Sequence, residues 1–260
     1  MLEQQTYIKK CIKELAEITE RNKPYTRLVF SEEFYSARRW LAREFNKLDL
    51  SIRTDHAGNL IGTLRSEYDN KKKVMVGSHL DTVQAGGRYD GVAGIVSSLA
   101  IAKHFRENNI KLPFHLEICD YLGEELNEWN ISCLGTRGLS GLLDREILSR
   151  QDANQRILKD EINKIGGNTD KLNKKSDGFT DVLACFELHI EQGRVLEAAE
   201  KKIGIVKSIP SISRHKIRIE GRASHSGTTP MTERKDALVA ASHIITFIDV
   251  EATKLSKKAN

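Results

Sequence analysis

Helical and strand-like hydrophobic patterns alternate along most of the chain. Apolar residues recur mostly three or four positions apart over residues 2–20, which predicts an amphipathic helix. A second helix is predicted from Ser31 to about Leu48, because Ser31 is a good N-cap and acidic residues follow it. A third, Val92–Phe105, is rich in small and apolar residues. Short apolar runs predict strands at 51–54, 59–64, 73–78, 114–121, 182–190 and 203–209.

Strands that alternate with helices predict an α/β domain in which helices cover both faces of a sheet. Residues 150–178 are polar and broken by two glycines, which predicts an exposed helix and loop. The pattern changes near Pro210, where polar and apolar residues alternate over 212–220 and a helix is predicted at about 233–248. We therefore expect a catalytic domain over 1–208 and the start of a smaller α+β domain over 209–260.

Composition removes several classes of function. The 41 basic residues are interspersed with 36 acidic ones, so the net charge of +5 does not indicate nucleic-acid binding. The short lysine runs 71–73 and 174–175 are typical of solvated loops. No apolar run approaches the roughly 18 residues of a membrane span, and the N-terminus lacks a signal-peptide core. The four cysteines form no C-x-x-C pair, and Cys119 and Cys185 lie in apolar, strand-like runs typical of buried, reduced thiols, so we expect a cytoplasmic protein.

Candidate chemistry begins directly after the predicted strand 73–78. His79 can ligate Zn²⁺, and Asp81 shares a face with it in extended backbone. Asp81 could therefore accept a hydrogen bond from the ring nitrogen that does not bind metal. Asp90 heads a glycine-rich turn and could present both oxygens between two cations. Alone, a His and Asp pair is more often structural or solvated.

Two further predicted strands also end in possible metal ligands. Glu124 and Glu125 follow one strand, and adjacent carboxylates repel each other unless a cation or proton compensates. One could ligate a metal while the other acts as general base. A Glu pair elsewhere is usually an exposed loop, but His189 ends yet another apolar strand. Sites in open α/β sheets lie at the carboxyl ends of strands, so the three strand ends predict a metal site.

His225 is a weaker candidate in the predicted second domain. It is flanked by small residues and could donate a hydrogen bond to a developing oxyanion. Taken alone, a polar loop with an incidental histidine is the better interpretation.

Together these motifs resemble one family, which contains N-carbamoyl-L-amino-acid hydrolases, β-ureidopropionases and allantoate amidohydrolases. It lies within the superfamily of co-catalytic metal peptidases and amidohydrolases. The motifs that carry the resemblance are GSHLDTV and GGRYDG within 77–91, the Glu pair, ELHIEQG at 187–193 and SHSGTTPM at 224–231. ELHIEQG and GTTPM are closest to the carbamoylase and amidohydrolase branch. The resemblance implies a zinc-peptidase-like α/β domain with a mixed sheet, interrupted by an α+β lid and dimerisation domain.

The resemblance also implies a role for each candidate residue and two divalent cations. Zn²⁺ or Mn²⁺ is expected, and Co²⁺ or Ni²⁺ also suits a His and carboxylate site. A homodimer is implied, in which the lid residue comes from the other subunit. The implied roles are metal binding by His79 and His189, each at one of two metals; bridging by Asp90; ligation of the second metal by Glu125; general base catalysis by Glu124; orientation of His79 by Asp81; substrate contact by Gln192; and polarisation of the scissile carbonyl by His225 of the partner subunit.

These roles predict an enzyme that hydrolyses a linear ureido or amide C–N bond, as in an N-carbamoyl amino acid or allantoate. Two alternatives stay open. One is a metallo-aminopeptidase or dipeptidase of the same superfamily. The other is a catalytically silent chain, because family members continue well beyond residue 260 and supply a last His ligand there. Residues 126–129 read LNEW where the family usually has a Gly-x-Arg-Phe sequence, which bears on substrate choice.

Overall fold

The computed structural model describes residues 2–68, 71–172, 179–209, 212–213 and 215–259. The lysine run at 174–175 and Pro210 lie outside these ranges. The chain divides into two compact units, Met1–Ala199 and Glu200–Asn260. The boundary expected between residues 208 and 209 falls within the second unit, and the assignment of a catalytic and a lid domain stays a prediction.

One five-stranded sheet organises the first unit. Its strands lie in the order β1-β2-β4-β3-β5. β1 pairs with β2 and β2 with β4 in antiparallel fashion, whereas β3 is parallel to both β4 and β5. The sheet is therefore mixed, and the predicted α/β class is confirmed. The bounds are β1 Ser51–Thr54, β2 Leu60–Leu64, β3 Lys73–Ser78, β4 His115–Asp120 and β5 Val182–Phe186.

Three long helices pack against one face of this sheet. They are α1 (Leu2–Ala16), α2 (Glu32–Lys47) and α3 (Val92–Glu107). Their apolar sides share one hydrophobic cluster with β2, β3 and β4. The predicted cap of α2 is present, because the Ser31 hydroxyl accepts a hydrogen bond of 3.1 Å from the Phe34 amide. Such a cap stabilises a helix by about 1 kcal/mol.

The opposite face of the sheet is lined by shorter elements. It buries Ile61, Met75 and Cys119, and α4 (Leu134–Leu139) contributes to a cavity of about 460 Å³ beside it. In the described part of the chain, the long helices of this unit lie on the first face only. Apolar periodicity shows that a helix has a buried side, but it does not show which face of the sheet that side covers.

A second hydrophobic cluster corrects the prediction that residues 150–178 are exposed. It includes α5 (Arg145–Leu148) and α6 (Leu158–Lys164). Leu158, Ile162 and Leu172 are almost fully buried there, although polar residues separate them. The average polarity of the segment conceals an amphipathic side. Within 173–178, the prediction lies outside the described residues.

The second unit contains α7 (Ala237–Ala259) and a short 3-10 turn at Met231–Glu233. The strand predicted at 203–209 is wrong, and the described residues of the alternating stretch 212–220 likewise have no ladder partner. Ile205 is 92% exposed, so alternation and β-branched residues alone did not produce a strand. Among the described residues, no helix combines the length and the apolarity that crossing a bilayer requires.

Gly77 is required by the close approach of β3 and β4. A Cβ at this position would lie 2.0 Å from the Cys119 carbonyl oxygen, which belongs to the backbone and cannot move aside. We expect Gly77→Ala to lower the free energy of unfolding by at least about 2 kcal/mol, measured by urea titration. Gly87→Ala is the control, since a Cβ there would lie 3.9 Å from its nearest neighbour, the Cβ of Asp90. An equal loss in both variants would contradict this explanation.

Candidate metal centre

The parallel arrangement of β3, β4 and β5 brings the predicted site residues to one edge of the sheet. His79 follows the last residue of β3 and is only 1% exposed. Its Nδ1 lies 2.9 Å from the Asp81 carbonyl oxygen. A carbonyl only accepts hydrogen bonds, so Nδ1 carries a proton. Nε2 is buried and has no hydrogen-bond partner among the described residues, which leaves this nitrogen available to a ligand.

Asp81 acts through different atoms from those expected. Its backbone oxygen, rather than its carboxylate, receives the His79 hydrogen bond, and the carboxylate Oδ1 is 3.7 Å from Nδ1. The two carboxylate oxygens instead accept hydrogen bonds from the amides of Glu124 and Glu125, at 3.2 and 3.0 Å. Burial raises the pKa of Asp81 to about 6, against the lowering effect of His79 and these amides. Asp81 therefore connects the loop after β3 to the Glu pair after β4.

His189 approaches the same point from the end of β5. The strand ends at Phe186 rather than at 190, so the histidine lies on irregular backbone. Its Nδ1 is 2.9 Å from the Ile190 carbonyl oxygen, which again leaves Nε2 free to bind. The His79 and His189 rings stack with their centroids 5.9 Å apart. Both imidazoles thus present Nε2 to one place.

Asp90 lies between the two imidazoles. Its Oδ1 is 3.7 Å from Nε2 of His79 and 3.1 Å from Nε2 of His189. Its Oδ2 accepts a hydrogen bond of 2.7 Å from Nε2 of Gln192. The next residue, Gly91, has φ of 64°, and a Cβ there would lie 2.3 Å from the His79 carbonyl oxygen. Glycine is therefore required for Asp90 to approach His79 this closely.

The first group of possible ligands fits a single divalent cation. The ligand atoms of His79, Asp90 and His189 all lie within 4.8 Å of one another. The two imidazoles share one position here, whereas the resemblance implied one metal for each. Burial alone would lower the pKa of His79, but Asp90, Asp81 and Glu124 raise it to about 10. These carboxylates therefore favour positive charge at Nε2, which either a proton or a metal ion supplies.

A second group adds the Glu pair. His79, Glu124 and Glu125 also offer ligand atoms within 4.8 Å of one another, with Oε2 of Glu124 3.8 Å from Nε2 of His79. Burial raises the pKa of Glu125 to about 7, and the charges of Asp90 and Glu124 contribute. The Cys133 thiol lies 3.6 Å from Oε1 of Glu124. A cation would relieve the repulsion between these carboxylates.

The segment after the Glu pair is anchored by a buried tryptophan. The Trp129 ring contacts Phe30 edge to face, with centroids 5.5 Å apart, and its Nε1 donates to the Arg156 carbonyl oxygen. Leu126 is exposed next to Glu125. The LNEW sequence therefore combines one structural residue with one apolar residue open to solvent beside the site.

His225 lies in the second unit, and its tautomer follows from its hydrogen bonds. Its Nδ1 accepts from the backbone amides of Gly227 and Thr228, at 3.0 and 3.1 Å. A neutral imidazole held in this way carries its proton on Nε2, which is then a donor. Arg234 stabilises the loop through the carbonyl oxygens of Ser226 and Thr229.

Two interactions behind the site were not predicted. The Ser78 hydroxyl donates a 2.6 Å hydrogen bond to Glu187 and so links β3 to the segment that carries His189. Asp120, the last residue of β4, pairs with Arg38 of α2. In both cases the partners are far apart along the chain, so no local spacing could have indicated them.

Comparison with known proteins relates the chain to characterised hydrolases. The model of peptidase family M20/M25/M40 matches residues 75–254, more than half of the chain. An N-carbamoyl-L-amino-acid amidohydrolase of Pseudomonas sp. (strain NS671) is 34% identical, over 92% of this chain and 58% of that protein. An allantoate amidohydrolase of Bacillus subtilis is 33% identical, over 85% of this chain and 53% of that protein.

A solved structure gives the same relationship. A hydantoinase/carbamoylase family amidase from Burkholderia ambifaria superimposes with a TM-score of 0.69 at 28% identity, over 93% of this chain and 58% of that one. The chain thus spans somewhat more than half the length of the relatives that it matches.

Proposed function

The chain belongs to peptidase family M20/M25/M40, whose members are metal-dependent, and on that premise we propose that it hydrolyses a linear ureido or amide C–N bond. The observation that carries this proposal is the convergence of two imidazole Nε2 atoms on one oxygen of Asp90, beside an acidic pair. An N-carbamoyl amino acid or allantoate is the proposed substrate. The names of the two curated relatives support this choice over a peptide.

We propose that His79, Asp90 and His189 hold one divalent cation and that Glu125, with Asp90, contributes to a second. Zn²⁺ or Mn²⁺ suits these ligands, and Co²⁺ or Ni²⁺ is chemically compatible. Bound cations would polarise the scissile carbonyl and lower the pKa of a nearby water. Gln192 donates a hydrogen bond to the second oxygen of Asp90, and a carboxylate oxygen that accepts such a bond keeps a lone pair for a cation.

Glu124 is the proposed general base. It would take a proton from the attacking water and return it to the leaving nitrogen. Its side chain is 41% exposed, so it can reach solvent and substrate, while Asp81 holds its backbone amide. In this scheme Asp81 also orients His79 through its carbonyl oxygen, and Gln192, beside Asp90, contacts the substrate.

The proposed electrophile is His225 of the partner subunit in a homodimer. A proton on Nε2 suits a donor to the scissile carbonyl, because the imidazole stays neutral and still polarises the oxygen. The two amides that bind Nδ1 support this tautomer in the free loop.

The proposal is tested by assaying the metal-loaded chain on N-carbamoyl amino acids, allantoate and dipeptides in parallel. Release of amino acid and ammonia from the first two, faster than dipeptide cleavage, is expected. The control is the same chain treated with a chelator, which should lose the activity and regain it when metal is returned.

A dipeptidase or aminopeptidase activity is the second candidate, which the peptidase origin of the family favours. Cleavage of dipeptides alone would select it. A chain that binds metal in stoichiometric amounts but cleaves none of the three substrate types would instead support the catalytically silent form.

A further inference from the structure

We infer that Asp120 and Arg27 are positioning residues that hold the backbone of Leu80, Asp120 at its amide and Arg27 at its carbonyl oxygen. Leu80 lies between His79 and Asp81 and is fully buried. Its amide donates to Asp120 at 2.9 Å, and its carbonyl oxygen accepts from Arg27 at 2.6 Å. Neither charged residue touches the cluster of metal-ligand atoms. The effect that we infer for these two residues on metal binding rests on the proposed function.

Asp120 is held in a fixed orientation by a second charged group. It is 0% exposed, and while Oδ1 binds the Leu80 amide, Oδ2 accepts a 2.7 Å hydrogen bond from Nε of Arg38. Arg38 in turn donates to the Gly58 carbonyl oxygen at 2.6 Å. A buried carboxylate with both oxygens occupied cannot rotate without losing a charged hydrogen bond. The Leu80 amide therefore has a rigid acceptor.

Arg27 connects the carbonyl oxygen of Leu80 to the N-terminal segment. It is 0% exposed, and besides Leu80 its guanidinium donates to the carbonyl oxygens of Leu15 and Ile18, at 3.0 and 2.7 Å. Its backbone amide donates to the Thr82 hydroxyl, and its carbonyl oxygen accepts from the Thr82 amide. The backbone on both sides of Asp81 is therefore fixed to the same residue.

The orientation of the Leu80 backbone determines two features of the site. It fixes the backbone from which the Asp81 carbonyl oxygen reaches Nδ1 of His79. It also fixes the Asp81 carboxylate, which binds the amides of Glu124 and Glu125. A rotation of the Leu80 backbone would therefore move the His79 imidazole and the Glu124–Glu125 pair together. Asp120 and Arg27 thus form a clamp on Leu80. This clamp positions both the His79 imidazole and the Glu pair of the proposed centre before any cation binds.

The test compares Asp120→Ala with Glu117→Ala in the full chain. Glu117 is the matched control because it also lies in β4, is buried and pairs with an arginine, Arg53, at 2.9 Å. The first measurement is amide hydrogen exchange at Leu80 by NMR without added metal. We expect at least about tenfold faster exchange in Asp120→Ala, with the Leu80 amide unchanged in Glu117→Ala.

The second measurement is Zn²⁺ affinity by competition with a chelating dye. Asp120→Ala should lose roughly 10- to 100-fold in affinity, the range typical of residues behind metal ligands, whereas Glu117→Ala should not. Equal losses in both variants, or unchanged Leu80 exchange in Asp120→Ala, would overturn the clamp. If Asp120→Ala does not fold, Asp120→Asn replaces it. The asparagine keeps an acceptor for the Leu80 amide but faces Arg38 with an amide group. Its loss of Zn²⁺ affinity and its increase in Leu80 exchange should be smaller, and both should again be absent from Glu117→Ala.

The two measurements separate the clamp from the proposed function. A wild-type chain that binds no Zn²⁺ would count against the proposed metal site. The exchange rate of the Leu80 amide would still decide whether Asp120 holds this peptide.

Discussion

Glu124→Gln is expected to lower kcat by about 10²- to 10⁴-fold while the metal content stays unchanged, since an amide cannot accept the proton of the attacking water. The structure supports the separation of these two effects. Glu124 is more exposed than the buried ligands, and its backbone amide, which the substitution retains, is what Asp81 holds. Metal analysis and turnover on the same preparation provide the measurement.

Glu128→Gln is the control for this substitution. Glu128 is an exposed glutamate on the same segment, and its carboxylate pairs with Arg156 rather than with the cluster. Its turnover should stay within about twofold of wild type, because an exposed ion pair contributes little. Loss of metal from Glu124→Gln, together with retention of metal in Glu125→Gln, would show that the roles of the two glutamates are exchanged.

The sheet and its site-bearing strand ends could be predicted because their signals are local. β1 and β3 have the predicted bounds, and Ser31 caps α2 as the sequence indicated. Each of these three strands ends at most a few residues before its predicted ligand. Since parallel strands bring their carboxyl ends to one edge, His79, Glu124 and His189 could be expected together before any distance was known.

The details that could not be predicted depend on partners that are distant along the chain. Whether His79 donates its hydrogen bond to the backbone or to the carboxylate of Asp81 depends on the orientation of the Leu80 backbone, which Asp120 and Arg27 hold. Similarly, nothing near Gln192 indicates that it binds Asp90, because these residues approach each other only after β5 has paired with β3. Sequence spacing identifies the side chains of a site but not the atoms through which they act.

Asp90→Asn is expected to reduce the affinity for Zn²⁺ by more than about 100-fold, beyond the range typical of residues that only support a ligand. Asp90 is the one described carboxylate whose oxygen lies within 4 Å of Nε2 of both His79 and His189. Its charge also contributes to the pKa of about 10 at His79, so the metal-free site holds a proton at pH 8. Zn²⁺ binding should therefore release about one proton in the wild type and less in Asp90→Asn, measured by calorimetry in buffers of different ionisation enthalpy.

Two matched substitutions define what this result means. Gln192→Ala removes only the hydrogen bond to Oδ2 of Asp90 and no ligand atom, so the loss of Zn²⁺ affinity should not exceed the roughly 10- to 100-fold typical of a supporting residue. Asp160→Asn alters an exposed aspartate of α6 and should change neither affinity nor proton release. If Asp90→Asn bound Zn²⁺ as tightly as these two variants, Asp90 would not be a ligand, and the convergence of the two imidazoles on its oxygen would be a hydrogen-bonded contact of the folded chain.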